Sequence, residues 1–378
     1  MKKIVLTFGA LVLLAGCGAF SDEEYFFATT TTESSGLSVT TTLGSSTTLL
    51  PDLEEITTTS STVEVPRVPD LVFQSGFESG SEVLTAVGTG APCTDDIVGE
   101  DVSVDGYGNW ETDLEGGSFG RFQFCFGGGT PDQRGVEIVA DPADPTNLVL
   151  HTWIALPGEN VSDDDDIPCN GSGGRGDRKA RVQAVLKDNP NLQQFYYTVR
   201  LRLGDGFQAL VEGDREIDWL TIGEFWNNTS AESGSFRVTL NLVKETAERG
   251  APLRFGLKSD MQPDEATDKK WFPVWPEGQI VSIPVPIGEW FTLSVSLVEG
   301  GEDSGRVTVT VTLADDSQHL IADVTGFTYS PEGQPDGFAS ISPIKLYTSG
   351  ELMCALYDQG FLLDAWWDDF AVSALSGG

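Results

Sequence analysis

The chain has 378 residues and a formal net charge of −36, with 22 Lys and Arg set against 58 Asp and Glu. A surface this acidic repels phosphate backbones, so nucleic acid is excluded as a partner, and the charge speaks for solubility rather than for chemistry. With 43 glycines, 19 prolines and 10% aromatic residues, the composition suits many strands joined by turns.

In chain order, Lys2 and Lys3 precede an apolar run from Ile4 to Leu14. The run falls short of the roughly 20 residues a membrane-spanning helix needs, and it reads as the core of a secretion signal. Leu14-Ala15-Gly16-Cys17 follows. It resembles the lipobox of bacterial lipoproteins, which implies a lipid on Cys17 and a membrane anchor made of acyl chains. The acidic Asp22-Glu23-Glu24 resembles the surface-export signal of Bacteroidota lipoproteins and implies an outer-membrane protein exposed at the cell surface. Residues 18–65 are rich in Thr and Ser and too poor in large apolar side chains to fold. They read as a disordered tether spanning on the order of 40 Å. The expected organisation is a signal and lipobox over 1–17, the tether over 18–65 and one folded, monomeric domain over 66–378.

From Leu71 to Val372, about fifteen segments alternate apolar and polar residues between Gly, Pro, Asn and Asp clusters. Phe195, Tyr197, Val199, Leu201 and Leu203 share one face, with Arg200 and Arg202 on the other. Phe291, Leu293, Val295 and Leu297 alternate with Thr and Ser, as do Val307, Val309, Val311 and Leu313. Each such segment is a strand with one buried face. So many of them predict an all-β fold, a two-sheet antiparallel β-sandwich, with no amphipathic helix of any length. Trp290 and Trp366 are expected in its core.

Cysteine usage adds constraints. Beyond Cys17, the chain has Cys93, Cys125, Cys169 and Cys354. An even number in an oxidising compartment predicts two disulfides, with three pairings open. His151 and His319 are the only histidines, and no Cys/His spacing matches a zinc site or a nucleophile motif.

The ends of the domain narrow the fold. It opens on Phe77-Glu78-Ser79-Gly80 and closes on Asp368-Asp369-Phe370-Ala371-Val372. This pair of ends resembles the concanavalin A-like and carbohydrate-binding jelly rolls, in which the terminal strands lie side by side. The resemblance implies a structural calcium, held here by Glu78 with Asp368 or Asp369. Calcium takes six to eight oxygens, carboxylates among them. Surface carboxylates at a sheet edge are the competing reading.

Three further segments resemble the polysaccharide lyases built on that jelly roll, of the alginate lyase and heparin lyase type. They are Arg178-Lys179-Ala180-Arg181-Val182-Gln183, Trp219 to Asn227 with Glu224 and Trp226, and Lys345-Leu346-Tyr347. The resemblance implies β-elimination on a uronate in a groove, with no catalytic cofactor. Arg181 and Gln183 would neutralise the uronate carboxylate, making the neighbouring proton acidic. Tyr347 would move protons, with Lys345 and Glu224 beside it. Glu224 stands where the lyases carry Gln and His, and the Lys–Tyr spacing is two where theirs is four. Trp226, Arg200 and Arg202 are further candidates for sugar contacts, and Trp271 and Trp275, in a proline-broken loop, are candidate exposed platforms for a sugar ring.

Glu216-Ile217-Asp218 looks like the start of the catalytic strand of laminarinase-like hydrolases. The next carboxylate, Glu224, lies about 26 Å on along an extended strand, too far for a retaining pair. Asp163 to Asp166 reads as a solvated acidic loop, and Arg175-Gly176-Asp177 as a chance adhesion tripeptide. The expected function is a tethered lipoprotein that binds and cleaves a polysaccharide. A non-catalytic glycan-binding or adhesion lipoprotein and a hydrolase are the alternatives.

Overall fold

The computed structural model describes residues 70–374, apart from 86–92, 117–118, 128–132, 156–168, 170–178, 188, 190–191, 228–234, 263–270 and 276–278. Cys17, the tether, Asp163 to Asp166, Arg178 and the Arg175-Gly176-Asp177 tripeptide lie outside the described residues.

Eighteen strands are present among the described residues. They begin β1 (Leu71–Ser75), β2 (Ser81–Leu84), β3 (Cys93–Gly99), β4 (Phe122–Gly127), β5 (Arg134–Ala140) and β6 (Leu148–Ile154). The middle of the chain forms β7 (Lys179–Lys187), β8 (Gln194–Leu203), β9 (Thr221–Asn227), β10 (Ser235–Val243), β11 (Arg254–Gln262) and β12 (Phe272–Pro273). The last are β13 (Gln279–Pro284), β14 (Trp290–Val298), β15 (Arg306–Thr312), β16 (Gln318–Thr325), β17 (Ser340–Ser349) and β18 (Leu363–Ala374).

They build two antiparallel sheets. The eight-stranded sheet runs β16-β15-β14-β8-β18-β6-β5, with β1 also on β18. The ten-stranded sheet runs β12-β11-β10-β9-β17-β7-β4-β3-β2, with β13 also on β11. Hairpin neighbours such as β14-β15 and β9-β10 alternate with distant ones such as β8-β18 and β7-β17, and the chain crosses repeatedly from one sheet to the other. This is the jelly-roll sandwich expected, and the terminal strands β1 and β18 do pair.

The core lies between the sheets. Phe195, Tyr197, Val199, Leu201 and Leu203 of β8 are buried there, as are Leu293, Val295, Val307, Val309 and Val311. From the ten-stranded sheet come Val182, Ala184 and Leu186 of β7 and Phe225 of β9. Burying such side chains contributes about 1.5–3 kcal/mol each, enough to hold their register.

Two findings differ from the sequence reading. Besides a five-residue π-helical turn at Trp110–Leu114, two α-helices occur among the described residues, α1 (Asp205–Glu212) and α2 (Gly350–Tyr357), each of eight residues and too short to carry a clear helical period. Lys244 ends α1 from within the core by donating to the carbonyls of Leu210, Val211 and Gly213 at 3.2, 2.9 and 2.6 Å. The tryptophans of β18 are also corrected. Trp367 is in the core, donating to Thr152 Oγ1 at 2.9 Å, while Trp366 and Trp290 are half-buried on the outer face.

Two bulges decide which side chains face out. In β18 the register slips between Asp368 and Ala371, and Asp369 adopts φ 46°, which returns Phe370 and Val372 to the core. In β17 it slips between Ile341 and Ile344, at Pro343. Proline has no N–H for the ladder and is accommodated at such an interruption. Strict alternation from Ile341 would have turned Lys345 and Tyr347 into the core; the bulge turns both outward.

The four cysteines pair as Cys93–Cys125 and Cys169–Cys354. The first joins directly opposed residues of β3 and β4, and the second ties α2 to a residue 185 positions earlier.

Candidate functional site

The outer face of the ten-stranded sheet collects the catalytic candidates. Strand register sets them in rows. Gly127 of β4, Arg181 of β7, Tyr347 of β17 and Thr221 of β9 are successive neighbours. In the next row Cys125, Gln183 and Lys345 are neighbours. Beyond them lie Ser342, Glu224 and Thr239, and then Trp226, Arg237 and Asp260. Arg181, Gln183, Glu224, Lys345, Tyr347 and Trp226 therefore share one surface, from three strands scattered along the chain.

At its centre Lys345 Nζ donates to Glu224 Oε2. Both are buried, at 1% and 2% exposure. Arg237 NH1 reaches Glu224 Oε1 at 3.6 Å and its NH2 reaches Asp260 at 3.5 Å. Burial works to raise the Glu224 pKa, but Lys345 and Arg237 outweigh it and hold it below the ordinary carboxylate value. Glu224 is thus a paired carboxylate within a cationic cluster. Burial, Arg181 and Arg237 bring Lys345 down to about 8, against the opposite pull of Glu224.

Tyr347 lies between cations and an aromatic. Lys345 Nζ is 4.9 Å and Arg181 Cζ 5.8 Å from its ring centre, and the Trp219 ring packs at 4.9 Å. Arg181 passes over Gly127, where a Cβ would come within 3.1 Å of Arg181 Nε. A side chain at this position would press on Arg181 and displace it by a few tenths of an ångström. Gln183 is 8% exposed.

Buried polar atoms are normally paired, and those left unpaired ask for an explanation. On this face Arg181 Nε, Gln183 Oε1, Glu224 Oε1, Arg237 Nε and Trp271 Nε1 are buried with no hydrogen-bond partner. The pattern fits a surface whose partners arrive with a ligand.

Several candidates are placed elsewhere. Arg200 and Arg202 project from the outer face of the eight-stranded sheet, across the sandwich from Arg181. Arg200 binds Asp368 at 3.1 Å and Asp369 at 3.4 Å, and Arg202 lies 3.8 Å from Asp141. They alternate away from the β8 core, which is legible in the sequence; that β8 belongs to the other sheet is not. Trp271 and Trp275 are not exposed platforms, at 5% and 6% exposure. Trp275 donates to the Phe327 carbonyl at 3.1 Å, and Trp271 lies under Arg237, 4.0 Å from its Cζ, with its edge to Trp226. Glu216 and Asp218 lie exposed before β9 and do not begin a groove strand.

Glu78, Asp368 and Asp369 border one concavity with Gly76, Thr146 and Asn147. Their oxygens are engaged: Glu78 accepts from Leu148 N at 3.1 Å, and Asp368 from Asn147 at 3.1 Å as well as from Arg200. Among the described residues no group of three or more acidic, His or Cys side chains is arranged to hold a metal. The Arg200 guanidinium is the positive charge beside Asp368 and Asp369 in this arrangement.

Sequence reasoning missed Arg237 and Asp260. The alternation of Phe236-Arg237-Val238 turns Arg237 outward, but only the pairing of β10 with β9 sets it beside Trp226 and Glu224.

The lipid attachment site of prokaryotic membrane lipoproteins matches residues 1–17, which points to membrane anchoring through Cys17. No curated protein matches the chain. Similar solved structures include a PL-14 alginate lyase from Aplysia kurodai, at 10% identity over 81% of this chain and 100% of that one, with TM-score 0.42. An endo-β-1,4-glucuronan lyase from the fungus Trichoderma reesei is similar at 12% identity, over 64% and 88%, with TM-score 0.39. The alginate lyase Aly36B is similar at 9% identity, over 79% and 99%, with TM-score 0.38.

Proposed function

We propose that the outer face of the ten-stranded sheet binds an acidic polysaccharide and cleaves it by β-elimination next to a uronate carboxylate. The observation that carries this is the set of unpaired buried polar atoms around Arg181 and Gln183, beside Tyr347. Arg181, Lys345 and Arg237 outnumber Glu224 and Asp260 there, within a chain of net charge −36. A local cationic patch on so acidic a protein draws an anion to that place.

The chemistry follows from the rows. Arg181 and Gln183 hold the uronate carboxylate and stabilise the charge that spreads onto it as the adjacent carbon loses its proton. Tyr347 takes that proton and returns one to the leaving oxygen. Arg181 and Lys345 flank its ring and stabilise negative charge developing on the phenol. A hydrolase would need one carboxyl group to carry a proton. Glu224, held ionised by Lys345 and Arg237, does not supply it.

The test is incubation of the protein with alginate, glucuronan, heparin, pectin and laminarin, read by the ultraviolet absorbance of an unsaturated uronate and by new reducing ends. Absorbance is expected from a uronan and not from laminarin. Arg181→Ala and Tyr347→Phe are each expected to lower the rate by about 100-fold or more. Reducing ends without absorbance would replace elimination by hydrolysis; binding without product would leave a glycan-capture protein.

We infer that this activity lies on the outside of the outer membrane, a reading supported by the acidic Asp22-Glu23-Glu24 stretch after the lipid attachment site. Protease treatment of intact cells is expected to remove the domain; protection until lysis would put it on the inner side.

A further inference from the structure

Strand β9 leaves one side chain open to solvent. Six of its seven residues are buried, and Trp226 is half-buried on the outer face. Its row runs from Ser340 of β17 through Trp226 and Arg237 of β10 to Asp260 of β11. Neighbours fix the ring in place. Trp271 packs against it with ring centres 5.4 Å apart and 81° between the planes. Arg237 Cζ lies 5.8 Å from the centre of Trp226 and 4.0 Å from that of Trp271. A tryptophan held in this way loses little freedom when a ligand arrives, and it offers a large apolar area to that ligand.

Charge differs between the two ends of the face. Arg237 lies 3.6 Å from Glu224 and 3.5 Å from Asp260, and Lys345 donates to Glu224, so two cations and two carboxylates balance. Lys187, beyond Ser340 in the same row, turns to the Cys93 sulfur at 3.3 Å. Arg181 stands outside these pairs, over the Tyr347 ring. Tyr347 is the register neighbour of Thr221, and Trp226 stands five positions further along β9, about 15 Å away. The two sugars on either side of a bond cleaved at Tyr347 do not reach that far, whereas a longer chain lying along β9 does.

We propose that Trp226, backed by Arg237 and Trp271, is a distal subsite of the groove that takes the apolar face of a sugar ring, with Ser340 and Asp260 beside it for the sugar hydroxyls. This rests on the reading of the outer face as a glycan-cleaving site and deepens it. The preferred substrate is a long chain rather than a short fragment. The sugar over Trp226 is recognised by its ring and need not be a uronate, because the charge of Arg237 is already taken up by Glu224 and Asp260.

The test measures elimination rates and calorimetric affinities of the full chain for a ladder of oligouronates, from the disaccharide upward, at low and high salt. The parent is compared with Trp226→Ala and Trp226→Phe. In the parent, kcat/KM and affinity are expected to climb once the oligomer is long enough to reach Trp226. Trp226→Ala should lower the ratio of long to short oligomers by about tenfold, and Trp226→Phe should keep most of it. The ratio should survive high salt, which weakens the hold of Arg181 on a uronate but not an apolar contact. An equal ratio in Trp226→Ala and the parent overturns the subsite. So does a loss shared by all lengths, which would make Trp226 structural, with a lower melting temperature as its companion. A ratio that salt abolishes in the parent overturns recognition of the ring in favour of an acid group. If affinity rises with length and Trp226→Ala flattens it, but nothing is cleaved, the subsite stands and elimination alone fails. If the parent neither binds nor cleaves any oligouronate, the glycan reading fails and the subsite with it.

Discussion

Lys345 and Glu224 are ordinary surface residue types placed where water is scarce. Removing one partner leaves a buried charge alone, which typically costs about 3–5 kcal/mol, whereas removing both can be close to neutral. Lys345→Met is therefore expected to lower stability by that amount in denaturant unfolding, and the double variant Lys345→Met, Glu224→Gln to regain most of it. Equal losses in the single and double variants would show that the pair is not coupled. Asp368 gives a pH test. Burial, and then the like charge of Asp369, raise its pKa to about 6, against about 3.9 in an unfolded chain. The folded state therefore holds the proton more tightly, so this contribution is present in full below about pH 4 and is lost as pH rises through about 6. Asp368→Asn removes that dependence. Its melting temperature relative to the parent is expected to be higher at pH 8 than at pH 4; a difference that does not move with pH would contradict the assignment.

At the scale of the element, the register of a strand decides more than its composition. Trp366 and Trp367 are adjacent and chemically identical, yet Trp367 fills the core and Trp366 stacks on His151 with ring centres 5.1 Å apart. Trp367→Ala is expected to cost about 3–5 kcal/mol through the cavity it leaves. Trp366→Ala should cost no more than about 1.5 kcal/mol, the scale of one aromatic contact. Similar losses from the two in urea unfolding would contradict the assigned faces. The bulges in β17 and β18 act at this scale too. Each turns a run of side chains over by one position, which is how Lys345 and Tyr347 come to face outward and Phe370 inward.

At the scale of the whole molecule, the Cys169–Cys354 bridge closes a loop of 185 residues. In the chain-entropy account a loop of that length contributes about 5 kcal/mol, against nearly 4 for the shorter Cys93–Cys125 loop. Cys354→Ser is expected to lower stability more than Cys125→Ser; the reverse order would place the stabilisation in local contacts instead. Chelation is expected to leave the melting temperature unchanged, because Arg200 supplies the cation beside Asp368 and Asp369; a fall of several degrees would restore calcium to that place. The sandwich was legible in the residue order, since alternation with period two is a local property and eight or nine residues suffice to express it. The same pattern identified the outward positions Arg181 and Gln183 of β7, and the spacing of Lys345 and Tyr347 kept them on one face. By itself, then, the sequence determined the lipid attachment site, the all-β class and the face of most strands. Only the tertiary structure decided which strands are neighbours: it set Glu224 against Lys345, brought Arg237 to the face, sent Arg200 and Arg202 to the far side, and paired the cysteines. Those outcomes depend on contacts between residues far apart in the chain, which are settled when two sheets bury their apolar faces together and not by any local preference.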